Sequence, residues 1–466
     1  MARIAPLTPL RYDLARLHGD LARVVSPPYD VISPDERALL AARDPHNVVR
    51  LILPEGEGAA KYVHAGELLT RWRTEGVLTR DPEPAFYRLD QTFLPPGLSP
   101  AAAADARPIT RRGFLALVEL VPFAERVVLP HERTLSGPKA DRLELFRATR
   151  ANLSPGFMLY RDPQRQLDSA LATADVLAEL STPDGVRHSL AKVSRPDAVR
   201  AIIDGVARST LLIADGHHRY ETALGYAKEV AAANPAASPR GEHRFFMTFL
   251  TNGDDPALVV FPTHRHAHSV PGFSFDEMVR GGSPTFDAVE LPRGAPARVL
   301  TEMLRAAAPL GPSVVAAATD GRAVLLTLRG GLDLAVHPTL GKQPLVLRKT
   351  DVAVLHAGIL EGVLGITQAA QAAKTNLWYP QDAAAALAEL RSGKGDVLFL
   401  MNPTPVADVR EVAEDGHVMP QKSTFFYPKV PTGLAIHTLD PARTVPEDTA
   451  GPGLADAAVA LVPGRA

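Results

Sequence analysis

The chain has 466 residues, of which 46% are hydrophobic and 22% are charged. This composition is that of a globular protein, and the length allows about two or three domains with cores of their own. Lys and Arg total 50 against 52 Asp and Glu, so no overall field draws the protein to nucleic acid or to an anionic membrane. The chain has no cysteine, which excludes disulfides, thiolate catalysis and cysteine-ligated metal.

The N-terminus carries charges at Arg3, Arg11 and Asp13, where a secretory signal would need an apolar segment. No later stretch stays apolar for the roughly eighteen residues that a membrane-spanning helix needs. We therefore expect a cytoplasmic protein that has neither nucleic acid nor membrane as a partner. The pattern leaves the oligomeric state open.

Short β-branched runs alternate with helical patterns, which predicts a mixed α/β (α+β) fold. In the first third of the chain, strand-like runs lie at 47–54, 86–93 and 114–120, and a helical stripe lies at 61–77. Later strand-like runs lie at 244–250, 257–264, 313–319 and 323–328, and Ala-rich helical patterns lie near 299–308 and 366–391.

Breaks in these patterns predict four regions. They are an N-terminal α/β region at 1–107, a central α/β domain at 108–270, a C-terminal α/β region at 271–434 and a mobile tail at 435–466. The last segment is predicted to be mobile because no periodic pattern is sustained there.

The stretch LLIADGHHRYETAL at 211–224 changes from a buried strand to a helix. Polar residues occupy the turn between them: Asp215, Gly216, His217, His218 and Arg219. The first N–H groups of a helix lack internal partners and lie at the positive end of its dipole, so an anion is stabilised there. Gly216 permits close approach, Arg219 can bind two phosphate oxygens, and the histidines can donate as well. The turn predicts a phosphate site; a plain helix start capped by Asp215 is the alternative.

A second polar segment, HERTLSGPKADR at 131–142, directly follows a strand-like run. Its carboxylates could act as a general base or hold Mg²⁺, and its cations could hold phosphate. The residues predicted to bind are His131, Arg133, Ser136, Lys139 and Arg142, and the predicted proton acceptor is Glu132. A solvated loop followed by an amphipathic helix is the alternative.

The segment PTHRHAH places His264, His266 and His268 at alternate positions, which share one face of a strand. Such a face could hold metal, but no further blocks of Asp and His complete a dinuclear site. We therefore favour His264 and Arg265 as phosphate or backbone partners, and the metal question stays open.

In SPPYDV, Pro27 and Pro28 fix an extended entry to Tyr29 and Asp30. This pattern is typical of either a packed turn or a rigid ligand wall, and it makes Asp30 the alternative proton acceptor.

In QKSTFFYPK near the C-terminus, Lys422, Ser423 and Thr424 precede three aromatic residues. Lysine with hydroxyl side chains suits phosphate, and an aromatic face could stack a base, although core packing is the simpler interpretation for the aromatics.

Several long motifs resemble the signature of the bacterial family known as domain of unknown function 1015. They are LLIADGHHRYETAL at 211–224, VVSPPYDVIS at 24–33, NVVRLILP at 47–54, VVLPHERTLSGPKADRLELFRATRANLSP at 127–155, DDPALVVFPTHR at 254–265 and MPQKSTFFYPKVPTGL at 419–434. The resemblance covers nearly the whole chain before the predicted tail, and it implies membership of a family without an assigned activity.

The strand, the DGHHR motif and the helix at 211–224 are also similar to the nucleotide-phosphate motif of the ParB and sulfiredoxin superfamily, which includes free L-serine kinases. This second resemblance implies a ParB/sulfiredoxin-like site within a larger multi-domain chain, with a nucleotide phosphate over Gly216, His217, His218 and Arg219. It does not by itself distinguish a kinase from a nuclease, a CTP switch or a reductase.

These observations together give the hypothesis of a kinase that uses ATP or ADP with Mg²⁺ to phosphorylate a small hydroxylated metabolite, with free L-serine as the best guess. Arg219, His217 and His218 would neutralise the transferred group, while Glu132 or Asp30 would accept the hydroxyl proton. A phosphohydrolase and a non-catalytic nucleotide-binding regulator are the alternatives. Because Arg219 is expected at the surface, its loss should spare the fold.

Overall fold

The computed structural model describes residues 1–95, 106–134 and 136–446, and these residues form a mixed α/β fold as predicted. The chain divides into two compact units. The first unit comprises the described residues of Met1–Leu129, Thr134–Leu258 and Pro428–Ala466, and the second comprises Pro130–Arg133 and Val259–Tyr427. The second unit is therefore, for the most part, an insertion in the sequence of the first. The four regions predicted above stay a prediction about which stretches fold independently.

The first unit contains most of the strands. They are β1 (Ile4–Ala5), β2 (Leu10–Tyr12), β3 (Leu78–Arg80), β4 (Phe86–Phe93), β5 (Ile109–Glu119), β6 (Val128–Leu129), β7 (Ala151–Asn152), β8 (Gly156–Tyr160), β9 (Asp175–Ser181), β10 (Arg187–Val193), β11 (Leu211–Asp215) and β12 (Phe245–Asn252). Its helices are α1 (Pro34–Arg43), α2 (Val49–Ile52), α3 (Ala60–Thr74), α4 (Ser136–Thr149), α5 (Asp168–Ala172), α6 (Pro196–Ala207) and α7 (His217–Ala233).

Among the described residues, nine strands of the first unit form one mixed sheet in the order β6-β11-β8-β12-β5-β4-β10-β9, with β1 paired to β5. Strand β11 runs parallel to β6 and antiparallel to β8, so both of its edges are paired. Helices α6 and α7 contribute Ile202 and Tyr220 to the core cluster that contains Phe246 of β12. These contacts fix the end of β11, where the predicted phosphate turn begins.

The second unit has strands β13 (Val259–Phe261), β14 (Arg265–Ala267), β15 (Phe286–Glu290), β16 (Ser313–Ala318), β17 (Ala323–Leu328), β18 (Leu377–Trp378), β19 (Val397–Leu400) and β20 (Phe425–Tyr427). Its helices are α8 (Phe275–Gly282), α9 (Ala297–Ala307), α10 (Asp351–Ala353), α11 (Gln368–Ala373), α12 (Ala383–Arg391) and α13 (Val406–Glu414). A π-helix, Val354–Glu361, continues α10. Six strands of this part of the chain form an antiparallel sheet in the order β15-β17-β16-β19-β14-β18.

After the insertion the chain returns to the first unit and forms β21 (His437–Thr438), which pairs with β7. The N–H of Ile436 donates to the carbonyl of Leu10 at 2.9 Å, and Leu439 is 1% exposed. The described part of the predicted tail, 435–446, is therefore packed against the first unit. Residues 447–466 lie outside the described residues.

Most of the predicted elements are confirmed, including the strands β4, β5, β12, β13, β16 and β17 and the helices α3, α9, α11 and α12. The predicted strand at 47–54 is wrong, because its centre forms helix α2. Asn47 explains the difference: its Nδ2 donates to the carbonyls of Arg23 and Val25, and its Oδ1 accepts the N–H two residues later at 3.0 Å. These contacts begin a helical turn in spite of the β-branched composition.

Candidate functional site

Strand β11 ends at Asp215, helix α7 begins at His217, and Gly216 lies between them, so the predicted strand-turn-helix is confirmed. Gly216 has φ of 93°, a left-handed backbone conformation that favours glycine. A Cβ at this position would lie 3.1 Å from Cζ and Nε of Arg219. Glycine is therefore needed both for the backbone angle and for the approach of the arginine.

The carboxylate of Asp215 is held by two cations. Lys429 Nζ donates to Oδ2 of Asp215 at 3.1 Å, and Arg219 Nη2 lies 3.4 Å from the same oxygen. Burial alone would raise the pKa of Asp215, but the charges of Lys429 and Arg219 lower that pKa far below its ordinary value. Two cations therefore lie beside this carboxylate at the start of α7. Lys429 ends the QKSTFFYPK segment, and nothing in that segment indicates a contact with this turn.

Arg219 is buried, with 5% of its surface exposed, so the expectation of a surface position is wrong. Its Nη1 donates to the carbonyl of Pro155, which directly precedes β8, the neighbour of β11 in the sheet. The turn thus directs the guanidinium inward against a backbone acceptor. His217 is also buried, while His218 is partly exposed.

The structure brings Tyr29 and Asp30 to the same region of the first unit. The guanidinium carbon of Arg142 lies 4.2 Å from the centre of the Tyr29 ring. Burial raises the pKa of Tyr29, and Asp30 raises it further, whereas the charges of Arg219 and Arg142 lower it. The charges at the turn therefore act on Tyr29, which follows the two prolines predicted to form either a packed turn or a rigid ligand wall.

Arg142 itself is fixed by protein acceptors. Its Nη1 donates to the carbonyl of Ile52 at 2.7 Å and its Nε to Oδ2 of Asp141 at 2.8 Å. The hydroxyl of Tyr62 donates to Oδ1 of Asp141 at 2.5 Å. Burial would raise the pKa of Asp141, but the hydrogen bond from Tyr62 and the charge of Arg142 lower it. Arg142 is therefore held by these partners beside Tyr29.

Helix α7 also binds the segment that follows Arg133. Glu221 Oε2 accepts from Lys139 Nζ at 2.7 Å and from Thr134 Oγ1 at 2.8 Å. The sequence analysis missed Glu221, because nothing local marks its pairing with a lysine 82 residues away. Ser136 begins helix α4, and its side chain lies outside what the structure describes.

The other predicted site residues belong to the second unit: His131, Glu132, Arg133, His264, Arg265, Lys422, Ser423 and Thr424. The Nε2 atom of His131 lies 2.9 Å from Oγ1 of Thr424, and Oε1 of Glu132 accepts the N–H of Lys422 at 3.2 Å. The structure therefore joins 131–133 to 422–424. The polar segment 131–142 is divided between the two units after Arg133.

Arg265 and His264 make the backbone contacts that were one of their two predicted roles. Arg265 is 1% exposed and donates to the carbonyls of Thr263 and Gln421. Nδ1 of His264 accepts the N–H of Met401 at 3.1 Å, and burial lowers the pKa of His264 to about 4. Burial also lowers the pKa of Arg265 to about 10.

No three His, Asp or Glu side chains in the described ranges come together in a group that could hold a metal ion. The ring of His268 stacks on Trp378 at 4.0 Å, and His266 meets the same ring edge-on at 5.2 Å. These two histidines pack against an aromatic side chain. Within the part of the chain that the structure describes, no helix is both long and apolar enough to cross a bilayer.

The model of the family described as "Protein of unknown function (DUF1015)" matches residues 4–353. The chain belongs to this family. The residues that match the DUF1015 model include the turn at 215–219. No curated protein matches this sequence.

Solved structures similar to the DUF1015 chain include a conserved hypothetical protein from Pyrococcus furiosus, with 14% identity and a TM-score of 0.34 over 68% of this chain and 93% of that one. A variant of free serine kinase in complex with ADP has 12% identity and a TM-score of 0.36 over 70% of this chain and 92% of that one. Free serine kinase in complex with AMP has 13% identity and a TM-score of 0.36 over 70% and 91%.

Proposed function

We propose that this protein binds the phosphate groups of a nucleotide at the turn between β11 and α7 and transfers a phosphoryl group to a small hydroxylated metabolite. Free L-serine is the first acceptor to test. The observation that supports the proposal best is the pairing of Asp215 with both Lys429 and Arg219. Both cations lie at the positive end of the helix dipole, where a phosphate group is stabilised.

The remaining groups of the turn suit the same ligand. Gly216 has no side chain, so a phosphate group can come close to the first N–H groups of α7. Arg219 is held by Asp215 and by the carbonyl of Pro155 before any ligand arrives. A donor that is already oriented stabilises charge on a transferred group without further reorganisation. His217 and His218 are proposed as additional donors.

The DGHHR motif, by its resemblance to a nucleotide-phosphate motif, makes ADP or ATP the proposed donor. The free serine kinase structures contain ADP or AMP. When bound, Mg²⁺ would offset the negative charge of the phosphates. The nucleotide phosphates would supply most of the ligands of this ion.

The proposed proton acceptor is Glu132, with Asp30 as the alternative. Glu132 is partly exposed, and the N–H of Lys422 fixes one of its oxygens, so its carboxylate is oriented before a substrate binds. A general base needs such an orientation, because proton transfer requires hydrogen-bond distance to the reacting hydroxyl.

The test is to incubate the purified protein with Mg²⁺, L-serine and either ADP or ATP and to follow the reaction by phosphorus NMR. We expect a new phosphomonoester signal that grows as the nucleotide is consumed. Release of inorganic phosphate from phosphoserine without nucleotide would instead support a phosphohydrolase. Calorimetric binding of a nucleotide with no product from any small alcohol would support a regulator, and absence of binding would refute the proposal.

A further inference from the structure

The second unit contains a cavity of about 160 Å³ that the proposed function does not use. It is close in size to the roughly 150 Å³ cavity that accommodates benzene, so it suits a compact molecule of about six to ten heavy atoms. Its polar lining includes Arg133, His356, Glu361, Gln371, Tyr379 and Gln421. Every lining residue belongs to the second unit.

A buried cation, Arg265, contacts three residues of this lining. Arg265 donates its Nε to Nε2 of His356 at 3.0 Å, its Nη2 to the carbonyl of Gln421 at 3.3 Å, and its guanidinium carbon lies 5.4 Å from the centre of the Tyr379 ring. All three of these partners line the cavity. Among the described residues, no carboxylate lies within ion-pair distance of Arg265. The charge of Glu132 acts on Arg265 from beyond that distance. An anion in the cavity would add to the stabilisation of this buried cation.

Two carboxylates supply negative charge near this cation: Glu361 of the lining, and Glu132, whose charge acts on Arg265 and Tyr379. Nδ1 of His356 donates to Oε1 of Gln371 at 2.7 Å, while its Nε2 accepts from Arg265, so this histidine is neutral. Burial and the charge of Arg265 lower the pKa of His356 to about 3, which agrees with that state. Glu361 is the carboxylate of the lining, and it accepts a hydrogen bond from Gln368 at 3.1 Å.

Arg133 adds a second cation, on the lining itself. It is exposed, and no hydrogen bond or ion pair from another described residue reaches its guanidinium. Arg133 is thus a cation of the lining for which the described residues supply no partner, whereas the charge of Glu132 acts on the buried Arg265. A guanidinium that is not already paired is well suited to bind a carboxylate by two parallel hydrogen bonds.

Part of the cavity lining also has an unusual backbone conformation. His356 and Glu361 both come from the π-helix Val354–Glu361. A π-helical turn is rare and is frequently found at functional sites. The helix therefore supports a ligand site at the same place as the charges.

We propose that this cavity binds a small organic carboxylate whose charged group pairs with Arg133 above the buried Arg265. The proposal does not depend on phosphate binding at the β11–α7 turn, because its residues are different. Both a simple carboxylic acid and an amino acid carry the required group.

The test uses three probes of matched size: butyrate, L-2-aminobutyrate and 1-butanol. We expect at least one carboxylate to bind in isothermal titration calorimetry about tenfold or more tightly than 1-butanol, because the alcohol cannot pair with an arginine. A preference for L-2-aminobutyrate would assign the site to amino acids, and a preference for butyrate to simple acids. Equal affinity for all three probes, or tighter binding of inorganic phosphate to this cavity, would overturn the proposal.

A variant pair locates the binding. Arg133→Ala should weaken carboxylate binding about tenfold or more, and Arg133→Lys should restore part of it. Arg305→Ala, which removes an exposed arginine from α9 of the same unit, is the matched control and should change nothing. Because Arg133 is exposed, its variants should fold, which circular dichroism checks. Unchanged carboxylate affinity in folded Arg133→Ala would refute the assignment.

Discussion

Lys429 donates to the carboxylate of Asp215 at 3.1 Å although 214 residues separate the two in the chain. Nearly the whole second unit lies between them in the sequence. The segment that follows the insertion therefore supplies part of the charge at the turn between β11 and α7. This contact, together with Arg219, places two cations beside the aspartate of the turn.

Lys429→Met should weaken ADP binding about tenfold or more in calorimetry, because one of the two cations beside Asp215 is lost. Lys228→Met is the control, since Lys228 is exposed on the same helix. If both variants bind ADP like the wild type, Lys429 has no part in the site.

Arg219→Ala should lower the free energy of unfolding by about 2 kcal/mol, because the carbonyl of Pro155 loses its donor and a buried charge partner of Asp215 is removed. It should also weaken ADP binding. Urea unfolding and calorimetry measure the two effects separately. An unchanged unfolding midpoint would contradict the buried position of this arginine.

Gly216→Ala should reduce stability by about 1 to 2 kcal/mol, because alanine disfavours a φ of 93°. The added Cβ would also press on Arg219, so ADP affinity should fall as well. Gly185→Ala is a matched control: its φ is 81°, but nothing lies within 4 Å of the added Cβ. We expect Gly185→Ala to lower stability but to leave ADP affinity unchanged. Equal ADP affinity in the two variants would refute the role of Gly216.

Glu132→Gln should reduce kcat by about a hundredfold while ADP affinity changes little, because the amide keeps the size of the side chain but cannot accept the proton. Asp30→Asn should be measured beside it with the same acceptor. A loss confined to Asp30→Asn would transfer the role of proton acceptor to Asp30. Full activity in both variants would exclude both carboxylates.

Acid should destabilise the second unit. His356 and His264 are buried and neutral, with pKa values lowered by burial to about 3 and about 4. Unfolding restores pKa values near 6.5, so the unfolded chain binds more protons below that pH. Stability should therefore fall as the pH drops from about 6.5 to about 4, by about 1 kcal/mol per pH unit for each histidine.

Urea unfolding at several pH values, followed by the fluorescence of Trp378, measures this slope in the second unit, and Trp72 reports on the first. His356→Gln should make the slope shallower, since glutamine does not titrate. A slope that is the same in the variant and the wild type would show that His356 does not titrate on unfolding.

The strand-turn-helix at 211–224 could be predicted because its signals are local: an apolar run, a glycine and a helical period follow one another within a few residues. The mixed α/β class follows from the same kind of pattern. The helix at 49–52 could not be predicted in this way, because Asn47 is oriented by carbonyls more than twenty residues earlier.

The candidate site was predictable in part. The residues of the turn are adjacent in sequence, but the contacts of Lys429 and Glu221 with distant partners have no local signal. The polar residues of 131–142 were predicted to act together because they are close in sequence. The fold instead divides this segment between the two units after Arg133. Consecutive residues need not share a site when the chain passes from one compact unit to another.

The insertion also sets an order of events during protein synthesis. Asp215 leaves the ribosome long before Lys429, and at roughly 5–20 residues per second the intervening stretch takes on the order of 10 to 40 s to make. The nascent first unit must wait that long for Lys429 and for the β21 strand at His437–Thr438. A chain that stops at the end of the second unit would carry the DGHHR turn without Lys429, one of its two cations.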